Sequence, residues 1–197
     1  MANESVAFMT DDGVTMRGHL YSAAGPKRKV LVLASTVAQS TWQPYVGELS
    51  AAGVALLTFD IRGVAETGGA RNDARLAADL ELAVRYIKSR DYPQVYLLGV
   101  GAPVSTAVFT VAATQDLAGV GGLPAGGNTS QEIAQVAEPK LFMAETSDQQ
   151  SQQNIDRLMA AAPGFKQKLV FTADAPSTDV LSVRAVRQAV LEFLARQ

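Results

Sequence analysis

The chain has no cysteine and a single histidine, His19. The first absence excludes disulfides, thiolate nucleophiles and cysteine-ligated metals. The second confines histidine-dependent chemistry to one residue. An excess of one charge is also lacking: 17 Lys and Arg stand against 19 Asp and Glu, a formal net charge of −2. No basic run or basic amphipathic segment marks a nucleic-acid or membrane partner. No apolar run approaches the roughly 20 residues that cross a bilayer. Met1 to Thr10 has no positive stretch leading into a long apolar one, as a signal peptide would. A soluble, cytoplasmic protein is expected, and nothing in the composition calls for a cofactor or a metal.

What is present is apolar: 48% hydrophobic and 18% charged residues over 197 positions. That suits one domain, residues 1–197, with a sizeable core. The pattern opens with a hairpin, Val6 to Met9 and Val14 to Tyr21 about the turn Asp11-Asp12-Gly13. Continuous apolar runs then mark strands buried on both faces: Val30 to Ala34, Val54 to Phe59 and Val95 to Leu98. Shorter runs at Leu117 to Leu123, Lys140 to Ala144 and Lys168 to Thr172 read the same way. Between them fall helical stretches at Trp42 to Ala52, Ala74 to Ser89, Pro103 to Thr114, Asn154 to Ala161 and Val183 to Ala195. Gly119 to Ser130, rich in Gly, Asn, Ser and Thr, has loop composition. Alternation of strand and helix predicts an α/β protein. Its central sheet is mostly parallel, of about 7–8 strands, with an N-terminal antiparallel hairpin and helices on both faces.

The order of these elements and several local motifs resemble the α/β-hydrolase superfamily, in particular its small cap-less, dienelactone-hydrolase-like members. The hairpin Asp12-Gly13-Val14-Thr15-Met16-Arg17-Gly18-His19-Leu20 is similar to the family's first hairpin. Asp60-Ile61-Arg62-Gly63 is similar to its Asp-x-Arg-Gly, with Thr67 and Gly68 in the loop that follows. Asp79-Leu80 with Val84, Tyr86 and Ile87 resembles the helix before its nucleophile strand.

The resemblance implies where a catalytic triad would stand. The nucleophile elbow, Gly-x-Ser-x-Gly in the family, reads Gly99-Val100-Gly101-Ala102-Pro103 here, so Gly101 takes the place of the serine. Ala102 keeps the backbone N–H that serves an oxyanion. Asp148 falls on the acid position and Ser177 on the histidine position. Ser35-Thr36 replaces the segment that carries the second oxyanion donor. A serine hydroxyl attacks a carbonyl only when an adjacent base takes its proton. With neither serine nor histidine in place, an ordinary triad esterase is excluded by this alignment.

Substitutes for the missing groups each have a bland counterpart. Ser105 and Thr106 sit early in the following helix, where hydroxyls commonly bond back to carbonyls. His19 belongs to the hairpin, which the family places at the sheet edge. Asp148 reads first as a cap on a helix beginning near Gln150. Asp60 and Arg62 are expected to pair with each other in a structural loop. Asp174 and Asp179 read as solvated loop residues. Gly99-x-Gly101 between strand and helix has a dinucleotide flavour, but the third glycine position is Val104, and Asp116 is a poor ribose partner.

The expectation is a non-catalytic α/β-hydrolase-like protein that binds a small molecule or a protein partner. Its ligand-binding residues would be Ser35, Thr36, Gly101, Ala102, Asp148 and Ser177. One alternative is a hydrolase acting on a small ester through Ser105 or Ser35. Another is a structural or oligomerisation role, with the hairpin edge or the last helix as the face of a homodimer.

Overall fold

The computed structural model describes residues 3–26, 28–123, 130–173 and 180–196. Eight strands form one sheet in the order β1-β2-β4-β3-β5-β6-β7-β8. They are β1 Asn3–Met9, β2 Thr15–Tyr21, β3 Lys29–Ser35, β4 Val54–Asp60, β5 Gln94–Val100, β6 Gly119–Leu123, β7 Lys140–Glu145 and β8 Lys166–Phe171. The hairpin β1–β2 joins β4 antiparallel, and all other pairings are parallel.

Burial on both faces explains why the central strands read as unbroken apolar runs. Along β3, Val30, Val32 and Ala34 point to one core and Leu31 and Leu33 to the other, the period of two that a strand imposes. The first core lies under α2 (Leu76–Lys88), α3 (Ala102–Ala112) and α5 (Gln149–Ala161). The second lies under α1 (Val46–Ala51) and α6 (Arg184–Ala195), where Trp42, Val46, Val190 and Phe193 pack. A four-residue helix, α4, spans Ser130–Ile133.

Three boundaries differ from the sequence pattern. The stretch from Trp42 to Ala52 is not one helix: Gln39–Tyr45 is 3-10 and only then does α1 begin. Pro44 lies inside the 3-10 segment. It has no N–H to donate and disfavours α geometry in the residue before it, so a single α-helix does not run through. The strand expected over Leu117 to Leu123 begins two residues later, as β6, and is fully buried although its five residues open the Gly119 to Ser130 stretch of loop composition. Its glycines let neighbours come close, so composition misleads there. Asn154 to Ala161 is only the second half of α5, which begins at Gln149 directly after Asp148, where the capping reading of that aspartate puts a helix start.

The parallel register aligns the carboxyl ends of the central strands. Ser35 ends β3 beside Asp60 of β4 and Val100 of β5. In open parallel sheets such a carboxyl edge is where ligand sites form.

Candidate functional site

The centre of that edge is the turn from β5 into α3. Gly101 makes it with φ 97° and ψ 140°. This region of backbone space is open essentially to glycine. Two hydrogen bonds hold the turn: Gly101 N–H donates to Leu123 O at 2.6 Å, and Ser105 N–H donates to Gly101 O at 2.9 Å. Deeper in, a Cβ on Gly99 would lie 3.0 Å from the Ser105 backbone. The bare glycine therefore lets α3 settle closely against β5.

Thr36 follows β3 directly, and its N–H donates to Val100 O at 3.3 Å. That bond draws its side chain over the turn. A Cβ built on Gly101 would stand 2.8 Å from Thr36 Cγ2 and 3.0 Å from Thr36 Oγ1. The space directly above the glycine is thus taken by threonine. Thr36, Gly101, Ala102 and Pro103 are all half-buried, so the apex is open to solvent at its rim.

The nearby hydroxyls face inward. Ser105, fully buried, donates to Gly99 O at 3.1 Å and accepts from Leu123 N–H at 2.9 Å. It ties α3 to both β5 and β6. Ser35, also buried, donates to Val37 O at 2.8 Å and accepts from Val37 N–H at 3.1 Å. Thr106 donates to Ala102 O at 3.0 Å. Asp148 is the N-cap of α5: its carboxylate accepts from Ser151 N–H at 2.9 Å and from Ser151 Oγ at 2.5 Å. Ser177, Asp174 and Asp179 lie outside the described residues. The structure therefore joins Ser35, Thr36, Gly101 and Ala102 at one turn. Asp148 is two strands further along the sheet, engaged with its own helix.

His19 sits on β2, with Nδ1 3.1 Å from Asn3 Oδ1 and the ring beside Tyr21. Strands β4 and β3 separate β2 from β5. The imidazole is therefore remote from the elbow.

The expected pairing of Asp60 with Arg62 is not what the structure contains. Asp60, fully buried, accepts from the backbone N–H of Gln39 at 2.7 Å and of Glu66 at 3.1 Å. It pins the two loops that leave β3 and β4. Arg62 points the other way. Its Nε and Nη2 each donate to Asp79 at 2.7 Å, and its Nη1 donates to Asp12 at 2.9 Å. Arg62 lies beyond the end of β4, in the turn that follows it, so the alternation of the strand does not set its direction. Asp12 is held well below the usual carboxylate range, chiefly by its hydrogen bond from the Arg62 guanidinium. Arg62 is pushed above its ordinary value by the same two carboxylates, Asp79 foremost.

The sequence carried one signal for this cluster that went unused. Asp79 shares a helix face with Leu76, Leu80 and Ala83, which are buried. An aspartate on an apolar stripe requires a cation or several donors. Among the described residues, no group of three or more His, Asp or Glu side chains is arranged to hold a metal ion. No described helix is long and apolar enough to cross a membrane.

Comparison with solved structures finds close agreement in shape. An α/β hydrolase, GrgF from Penicillium sp. sh18, superposes with a TM-score of 0.83 at 14% identity, covering 100% of this chain and 99% of that one. The Pyrococcus furiosus esterase Pf2001 gives a TM-score of 0.81 at 16% identity, over 99% of this chain and 90% of its own. A thermostable carboxyl esterase from Bacillus coagulans gives 0.80 at 11% identity, over 99% and 98%. No family model and no curated protein matches the chain.

Proposed function

From the premise that this chain has the α/β-hydrolase fold, we propose that it is a non-catalytic protein of that fold whose role is binding. One observation carries the reading: the turn that would display a nucleophile is made by Gly101 and covered by Thr36. The surrounding groups support it. Ser35 and Ser105 spend both donor and acceptor capacity on the backbone. The lone imidazole is on a different part of the sheet. A hydroxyl without an adjacent base is a poor nucleophile at neutral pH.

What remains for a ligand is the rim beside the covered glycine. The Thr36 hydroxyl has no hydrogen-bond partner among the described residues, and the Ala102 N–H is the first of α3, a position without an intrahelical acceptor. The edges beside them, Val37, Ala38 and Pro103, are apolar and half-buried. This combination suits a small molecule with one carbonyl or hydroxyl group and an apolar body.

Two assays together test the proposal. Short-chain p-nitrophenyl esters should turn over no faster with the protein than with its Thr36→Val variant. A panel of small acyl-bearing compounds should include ones that raise the melting temperature of the wild type but not of that variant. Ester turnover that survives dialysis and is abolished by Ser105→Ala or Thr36→Val would overturn the reading. So would a panel in which no compound shifts the melting temperature.

A further inference from the structure

We infer that Thr36 and Gly101 form a matched pair that seals the strand-to-helix turn, so the absence of a displayed side chain at position 101 is built into the backbone as well as into the residue type. Two independent features carry this. The first is conformational: φ 97° and ψ 140° at Gly101 lie where a residue with a Cβ is strained whatever space surrounds it. The bonds from Gly101 N–H to Leu123 O and from Ser105 N–H to Gly101 O fix that conformation from both sides. The second is steric: contacts of 2.8 Å and 3.0 Å from a Cβ at 101 to Thr36 Cγ2 and Oγ1 are too short to be tolerated unmoved. Threonine is branched at Cβ and stiff about χ1, so it does not swing aside freely.

The two features respond to different substitutions. Removing Cγ2 and Oγ1 leaves only the Thr36 Cβ, which is 3.5 Å from the built Cβ and in ordinary contact. Thr36→Ala therefore lifts the steric part and leaves the conformational part. A serine introduced at 101 alone meets both, and the hydroxyl at the apex remains that of Thr36.

A double-mutant cycle in urea tests the pairing. Gly101→Ala alone should raise the unfolding constant by about 100-fold or more, strain and overlap acting together. In the Thr36→Ala background the same change should cost about tenfold less. In the Thr36→Val background, which keeps the bulk and removes the hydroxyl, the cost should be undiminished. Equal cost in all three backgrounds overturns the pairing. If Gly101→Ala does not fold on its own, recovery of a cooperative transition in Thr36→Ala/Gly101→Ala supports it. Failure of that double variant as well assigns the whole cost to the backbone and overturns the part given to Thr36. The inference deepens the non-catalytic reading and rests on its account of the elbow. The cycle reads stability alone, so hydrolysis found by assay would remove that reading and leave the coupling standing.

Discussion

Two regions of the molecule carry the motifs that resemble α/β hydrolases, and they have fared differently. Around Arg62, the matching residues are present and converge: Asp12 of the hairpin, Arg62 of the loop after β4, and Asp79 of α2 meet in one ion cluster. Around Gly101, a glycine makes the turn and the hydroxyls of Ser35 and Ser105 bond to nearby backbone. The first region shows what these motifs do for folding. Each lies far from the others in sequence, and Arg62 staples three elements together. The second shows a strand-to-helix turn made by a glycine, with the side chain of a neighbouring threonine packed against it. The shared motifs therefore speak for the fold, and only the elbow speaks for the reaction.

The largest effect should come from breaking the first region. Arg62→Ala leaves Asp79, whose side chain is 1% exposed, without its countercharge. The expected loss is about 3–5 kcal/mol of unfolding free energy by urea denaturation. A loss under about 1 kcal/mol would place the cluster with ordinary surface ion pairs. Next comes Ser105→Ala in the second region. It removes the acceptor of Leu123 N–H and the donor to Gly99 O inside the core, and should cost about 1–3 kcal/mol. If Ser105 were instead a displayed nucleophile, its removal would leave stability almost unchanged.

Asp148→Ala should cost about 1 kcal/mol by uncapping α5. It should leave any binding at the elbow intact, which separates the cap from the site the alignment gave it. Tyr96→Phe sharpens the comparison from the opposite direction. Tyr96 is 1% exposed and its hydroxyl has no hydrogen-bond partner among the described residues. Burial pushes that hydroxyl up to about 12. Unlike Arg62 or Ser105, this polar group is buried without compensation, so its removal should stabilise the protein by up to about 1 kcal/mol.

Much of the fold was legible because burial leaves a period in the sequence. The runs Val30 to Ala34 and Val54 to Phe59 are apolar throughout since both faces are covered, and they became β3 and β4. β6 was harder to read, since Gly119, Gly121 and Gly122 carry no side chains to show a period. The site was legible in part. Gly101 could be placed at the turn through the resemblance of Gly99-Val100-Gly101-Ala102-Pro103 to the family's elbow. That Thr36 covers the glycine depends on the register of β3 against β5, which no local pattern states. The partners of Arg62 were hidden for a similar reason: Asp12 and Asp79 lie 50 and 17 residues away in the chain.

The central claim is that the elbow offers no activated hydroxyl, and intact-mass spectrometry after exposure to a fluorophosphonate tests it most directly. The account predicts an unmodified mass under conditions that fully label a serine esterase. Stoichiometric addition of one phosphonyl group, mapped to Thr36, Ser35 or Ser105, would contradict it.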